Sequence, residues 1–476
     1  MAQDSLHDAT AVQEPPAPPT GADTRRTLLG LAGPVYFELL SGVVAGVIDT
    51  LWVARLNEAA IGAVAIATSV ENVLLGVILM VNIGTTVLIS GAIGRKETGG
   101  LRTVMRAVGV LWLAIAPAVA IGGFLARKDI AGLFTSDGGE AFRLTVQFFA
   151  ISFPGIAVFF AQNVIDGIYK GTGDTRTPMR MAILANALIL VLDPLLIYGR
   201  AGLPRMGVQG AALAMVIGRG VALATSVTLL YRKRLGEQSD AGNTGGLSLS
   251  QAISRILGVG LPASADFVIR MAAGMVLVVV VAGFGEVPLA AYGIGIKVLV
   301  FVTMAFYAVR QAASIHLART GGSHPNAAHD IGRQSLLLAS LIALAAGAAL
   351  AVAGGALVSA FTSDDAVVHQ GTVLMWFFVP YLLAIAGTVS LGGVFVSGGH
   401  ARSMLWVALL GSVVQLPLAY GLSSISALGI RGVWISMVLG AVAQFTLSYA
   451  LFRRYCPAPA RTAAPAPIPA PATADV

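Results

Sequence analysis

The chain has 476 residues, of which 11% are charged and 56% hydrophobic, with a formal net charge of +7 and a mean hydropathy of +0.82. A soluble domain carries about 25% charged residues, and the apolar residues here run along the whole chain, so the composition excludes both a soluble globular protein and one held by a single anchor. The single Cys456 excludes a disulfide framework, and the basic residues fall in short loops between apolar runs, where they set topology and do not suggest nucleic acid.

Residues 1–24, rich in Ala and Pro, are expected to form a disordered tail. Arg25 and Arg26 read as the basic flank of a first spanning helix and not as an export signal, because many apolar segments follow and no small-residue cleavage site closes the first. Spanning helices need about 20 apolar residues. Twelve such segments follow, near 28–53, 59–93, 104–126, 142–169, 178–199, 207–231, 253–282, 287–317, 331–358, 367–397, 404–424 and 431–452. The polar stretch 232–250 reads as a linker between an N-terminal lobe, 25–231, and a C-terminal lobe, 251–455, with 456–476 a second disordered tail.

The chain repeats itself. Leu-Phe-Thr-Ser-Asp at 133–137 returns as Ala-Phe-Thr-Ser-Asp at 360–364, and Leu-Asp-Pro-Leu-Leu-Ile-Tyr-Gly at 192–199 returns as Gln-Leu-Pro-Leu-Ala-Tyr-Gly at 415–421. Met-Gly-Val-Gln-Gly-Ala at 206–211 matches Leu-Gly-Ile-Arg-Gly-Val at 428–433, and Leu-Ala-Gly-Pro at 31–34 matches Val-Gly-Leu-Pro at 259–262. One set of loops and span ends carries 19 Lys and Arg residues and the opposite set 7, which puts both termini and the linker in the cytoplasm. Each repeat has an even number of spans. The fold expected is therefore an all-α polytopic membrane protein, with twelve transmembrane helices in two parallel six-helix repeats that can rock against each other, as in a secondary transporter.

Ionisable residues inside a span cost about 2.5–3.5 kcal/mol each on insertion scales, so each must be paired, face water or work. The acids are Glu38, Asp49, Glu71, Asp166, Asp193 and Asp266, and the bases Arg219, Arg270, Lys297 and Arg310. Five of the six acids are in the first repeat and three of the four bases in the second. Glu38 and Asp49, eleven residues apart, share a helix face with Pro34, Gly42 and Ala45, as a cavity-lining stripe would. Asp49 and Asp193 lie at similar depth, near the outer ends of the first and fifth spans, and are expected to share one outward cavity. Pro194 would free a carbonyl beside Asp193. Asp266 and Arg270, at i and i+4, read as a structural ion pair. Asp166, four residues before Lys170, is expected near the cytoplasmic surface. Glu71 and its neighbour Asn72 are candidates for a polar groove, and Asn163 and Asn186 are further cavity candidates.

At this point a family resemblance emerges. Ile-Asp-Thr-Leu-Trp-Val-Ala-Arg-Leu at 48–56 resembles the Asp-Thr-x-x-Val-Gly-x-Leu stretch of multidrug and toxic compound extrusion (MATE) transporters, and Gly-Thr-Thr-Val-Leu-Ile-Ser-Gly-Ala-Ile-Gly at 84–94 resembles the end of their second helix. Asp-Gly-Ile-Tyr-Lys-Gly-Thr-Gly-Asp-Thr-Arg-Thr-Pro-Met at 166–179, Leu-Asp-Pro-Leu-Leu-Ile-Tyr at 192–198 and Gly-Leu-Pro at 260–262 complete the set, which spans about 28–453. The resemblance implies a V-shaped two-lobe bundle that exports organic cations and other drugs against inward H⁺ or Na⁺. It makes Asp49 and Asp193 the ion-coupling carboxylates. The chain departs from the pattern at Ile189, where Asn is often found, at Met215, where Thr is common, and at Asp166, an Asn-type position. Where some branches carry a seventh-helix Glu it offers Arg270, which favours the branch of the DNA-damage-inducible and archaeal-type members.

The expectation is thus a monomeric cell-membrane (inner-membrane) antiporter for small molecules. It needs no cofactor beyond H⁺ or Na⁺, no resident metal and no nucleic-acid partner. A flippase for lipid-linked saccharides, from the wider superfamily, is the alternative. The acidic first repeat counts against it, since such proteins usually need a cationic cavity. An enzyme is excluded by the lack of any His-Glu-x-x-His cluster, and direct ATP drive by the lack of a phosphate loop.

Overall fold

The computed structural model describes residues 21–95, 98–135, 138–232, 248–320, 326–425 and 427–457. Both tails beyond these limits, linker residues 233–247, and Lys96 and Asp137 lie outside the described residues. The described chain is helical from end to end: α1 (Gly21–Ala54), α2 (Glu58–Gly94), α3 (Thr98–Leu125), α4 (Arg127–Gly132), α5 (Glu140–Gly171), α6 (Arg176–Tyr198), α7 (Val208–Arg232), α8 (Leu249–Ala282), α9 (Glu286–Thr320), α10 (Ala327–Ser359), α11 (Asp365–Ser397), α12 (Ala401–Ser423) and α13 (Ile430–Tyr455). All but α4 are long and apolar enough to span, which gives the twelve spans expected. Two boundaries differ from the sequence reading. Residues 21–24, assigned to the tail, form the first turn of α1, and α8 starts at Leu249 inside the assigned linker. Ser248 explains the second, because its side chain accepts from Gln251 N in a capping box.

Local chemistry sets the other ends. Asn57 Oδ1 accepts from Ala60 N at 2.8 Å to start α2, Asp364 Oδ1 accepts from Ala366 N to start α11, and Gly199 ends α6 in the left-handed region, φ 70°. The repeat is visible in the prolines. Pro34 and Pro262 sit inside the first helix of each half, Pro154 and Pro380 inside the fourth long one, and Pro194 and Pro417 inside the fifth.

The halves are α1–α7 and α8–α13. In each, the second long helix packs on the fourth (α2 on α5, α9 on α11), and the last two pack on each other (α6 on α7, α12 on α13). The first helix of each half belongs partly to the other. Leu28, Leu31, Ala32 and Val35 of α1 lie in the second half's core with Phe306 and Ala312, whereas Val53 of the same helix lies in a first-half core with Phe148 and Ile197. In the same way Ala252 and Ile256 of α8 lie in the first half's core with Val104 and Phe160, while Leu277 and Val281 lie in the second's. The exchange is confined to the side of the bundle carrying the described ends of the chain, hereafter the tail side. There α2 and α8 meet backbone to backbone. A Cβ added at Gly260 would stand 1.8 Å from the Met80 carbonyl oxygen, and one at Gly84 2.4 Å from that of Ile256. On the far side, the core around Val53 contains first-half residues alone.

Candidate functional site

α1 carries Glu38, Ser41, Ala45, Asp49 and Trp52 at spacings of three and four, a single helical stripe. That stripe faces α6, with Glu38 turned to the end of α5. From the tail side outward it makes a ladder of polar contacts. Lys170 Nζ meets Glu38 Oε1 at 2.7 Å, Asn186 Nδ2 donates to Ser41 Oγ at 2.9 Å, Asp49 adjoins Asp193, and Tyr198 OH donates to the Trp52 carbonyl at 2.6 Å. The Trp52 and Tyr198 rings meet edge to face, 6.2 Å between centroids. They close the ladder on the far side.

Asp49 and Asp193 are therefore shut in rather than lining an open outward cavity. Asp193 is 0% exposed and Asp49 9%. Their carboxyls are close enough to share a hydrogen bond if one carries a proton. Among the described residues no other donor reaches Asp49 Oδ1 or either Asp193 oxygen. Arg55, which could have neutralised Asp49, lies with its guanidinium 5.2 Å from the Trp52 ring centroid instead. Pro194, inside an unbroken α6, removes the donor that the Leu190 carbonyl would use. Two apposed carboxylates without protein donors can do one of two things: hold a proton between them, or release it to a competing cation.

The other first-half acids separate. Glu71 shares the wall of a small cavity, about 10 Å³, with Ser152 and Arg219, and the Arg219 guanidinium lies 3.9 Å from the Phe159 ring centroid. Asn72 is half-buried, and its side chain makes no hydrogen bond among the described residues. Asp166 is not at the surface. It is buried and accepts from Gln162 Nε2 at 2.9 Å, and Gln162 also reaches Ser226 Oγ of α7 at 3.4 Å. Nor does Asp166 take Lys170, whose ammonium turns to Glu38. Glu38 is thus an ion-pair member and not a free cavity acid. Lys170, counted from sequence among the loop cations, is 5% exposed at the end of α5. Asn163 is occupied by backbone: its Nδ2 donates to the Phe159 carbonyl at 3.0 Å, and its own carbonyl accepts from Asn82 Nδ2.

In the second half, Asp266 binds Arg270 Nε at 2.9 Å and also Arg310 Nη1 of α9 at 3.0 Å. Arg270 Nη1 donates to Gln444 Oε1 at 2.6 Å and Arg310 Nη2 to Met404 Sδ at 3.3 Å. Sequence spacing shows the i, i+4 pair but not Arg310, which sits 44 residues away on another helix. Glu38 and Asp266 are equivalent positions, each four residues after the proline of its half's first helix. Each holds a cation from another helix of its own half. Lys297 stays exposed on α9. No group of three or more His, Cys, Asp or Glu forms a metal-binding cluster among the described residues.

Comparison with known proteins agrees with this architecture. The MatE family profile matches residues 34–195 and 262–421, one match in each half. The chain is 27% identical over 435 residues to the probable multidrug resistance protein NorM of Thermotoga maritima, covering 90% of this chain and 92% of that one. It is 22% identical to the multidrug export protein MepA of Staphylococcus aureus, covering 90% and 94%. Among solved structures, a MOP-superfamily transporter from Pyrococcus furiosus, described as having a binding pocket of reverse polarity, superposes with a TM-score of 0.82 at 21% identity, covering 91% and 96%. The two profile matches, one on each half of a twelve-span bundle, establish that this chain belongs to the MatE family of membrane transporters and is not an enzyme.

Proposed function

We propose that the protein is a secondary active exporter of drug-like organic molecules, cations among them, driven by exchange for H⁺ or Na⁺ at Asp49 and Asp193. The observation that carries this reading is the apposed, enclosed carboxylate pair on α1 and α6, with no protein cation bonded to it among the described residues. The multidrug names of the relatives support the substrate class. The positive-inside bias supports a cell-membrane protein with the tail side in the cytoplasm, acting as a monomer.

In this scheme the pair loads a proton from the outside while the halves are parted there. Loading removes one of the pair's two negative charges, so it holds a cationic substrate less tightly, and the α1–α6 ladder is free to rearrange. One proton moving down about 150 mV releases about 3.5 kcal/mol, enough for a substrate gradient of about 300-fold. If Na⁺ is the coupling ion, the same carboxylates serve as hard oxygen ligands. The rival reading, a flippase for lipid-linked saccharides, draws on Arg270 and Arg310, but Asp266 neutralises one of the two.

The test is transport in proteoliposomes with an imposed pH or Na⁺ gradient. Asp49→Asn should abolish gradient-driven export while leaving the protein folded and able to bind some substrates. Asp193→Asn should do nearly the same, and the double variant should be no worse than either single one. Full transport by Asp49→Asn at normal expression would refute the assignment.

A further inference from the structure

A second cavity, about 720 Å³, lies on the tail side where α2, α8 and α9 converge. It is built from both halves. Arg95 comes from the end of α2 and Arg255 from the second turn of α8, with Ser254 beside it. Leu88, Val259 and Leu317 make part of the same lining apolar. Gly84 of α2 lies against Ile256 of α8, so Arg255 stands at about the level of Leu88, and the cations and apolar side chains share one lining. Among the described residues no carboxylate lines the cavity. Arg255 is exposed and forms no ion pair among the described residues. A third guanidinium, Arg319, stands close by on the same seam and donates to the Thr172 carbonyl at 3.0 Å.

A cationic substrate is repelled from such a lining, and a soluble anion leaves its apolar part unused. An acidic headgroup on an apolar chain satisfies both, and the bilayer supplies that molecule. We propose that this cavity binds an anionic phospholipid, with its phosphate between Arg95 and Arg255 and its upper chain against Leu88, Val259 and Leu317. Because the two arginines come from opposite halves, the bound lipid clasps the tail side. A ligand that binds only the closed seam stabilises that arrangement by mass action. Anionic lipid therefore favours the state in which the halves are joined on the tail side and parted on the far side. This inference does not depend on which substrate or ion is carried.

The test uses the full chain purified in an uncharged detergent, with tryptophan fluorescence reporting the thermal midpoint. Phosphatidylglycerol tenfold above its dissociation constant should raise the midpoint by about 3 °C or more. Phosphatidylcholine with the same chains, and glycerol phosphate alone, should leave it within about 1 °C. Arg95→Gln/Arg255→Gln should lose the phosphatidylglycerol shift, and Arg95→Lys/Arg255→Lys should keep most of it. If the double Gln variant does not fold, Arg255→Gln alone, at an exposed position, should cut the shift to about half or less. Spin labels at Glu58 and Glu286, in a Cys456→Ser background, should report a longer far-side separation with phosphatidylglycerol than with phosphatidylcholine. Equal shifts from the two lipids, an undiminished shift in the Gln variant, or a full effect from glycerol phosphate would overturn the proposal.

Discussion

Replacing Asp266 by Asn should be among the most damaging single changes in the second half. The carboxylate is 1% exposed and holds two guanidiniums, Arg270 at 2.9 Å and Arg310 at 3.0 Å. An amide oxygen can still accept a hydrogen bond, but it carries no charge. Both cations would then remain in the interior with only Gln444 and Met404 as their other polar partners among the described residues. Removing one member of a buried ion pair costs about 3–5 kcal/mol, against a total stability of about 5–15 kcal/mol for a typical domain. At about 2–4 °C per kcal/mol for a half of this size, the thermal midpoint should fall by about 6–20 °C. The assay is fluorescence-monitored unfolding of parent and variant at the same detergent and lipid content. Asp266→Asn/Arg310→Gln returns the cluster to its original formal charge and should recover half or more of the loss. A single variant within about 2 °C of the parent, or a double variant worse than the single one, would show that the cluster is solvated and that burial does not set its energetics.

Other outcomes follow from the same geometry. Gly260→Ala places a methyl 1.8 Å from the Met80 carbonyl oxygen, so α2 and α8 must separate. Overpacking of this kind costs about 1–3 kcal/mol, and it should show as a shortened far-side spin-label distance as the tail-side seam loosens. Lys170→Met leaves the half-buried Glu38 without its cation and should destabilise by about 2–4 kcal/mol, whereas Lys170→Met/Glu38→Leu should recover most of that in the same unfolding assay. Tyr198→Phe removes the bond to the Trp52 carbonyl and should cost about 1 kcal/mol, with gradient-driven uptake in vesicles falling more than stability does. In whole cells lacking Cys456, a cysteine at position 202 should react with an impermeant maleimide, while one at 240, outside the described residues, should be protected.

Much of the fold was legible because the bilayer leaves few options. Twelve apolar runs, matched prolines and turn motifs give the spans and the repeat directly. Within one helix the spacing of side chains is also readable, so Asp266 with Arg270 and the stripe from Glu38 to Asp49 can be found by arithmetic. Contacts between helices are another matter, because they depend on how each helix is rotated about its own axis. Lys170 looked like a loop cation since it precedes the turn at Gly173, yet α5 carries it into the bundle to meet Glu38, 132 residues away. Asp166 looked peripheral for the same reason. Arg310 and Arg219 stood out as buried charges, but nothing in the spacing names Asp266 or Phe159 as their neighbours. The short helix α4 escaped because six residues show no usable period.

The exchanged ends of α1 and α8 bear on how the chain is made. When α1 enters the membrane, the partners of Leu28, Leu31 and Val35 do not yet exist. Phe306 and Ala312, in whose core they finally sit, emerge only after the whole first half and most of α9 have been synthesised. Until then the tail-side end of α1 must rest against lipid or a substitute helix, while its far-side end can already settle on α6. The first half is therefore an incomplete folding unit, and its six spans wait for the second half to close them. A single ancestral repeat would have met the same need by trading its first helix with a second copy, a swapped dimer. Split at the linker and co-expressed, the two halves should find each other for that same reason.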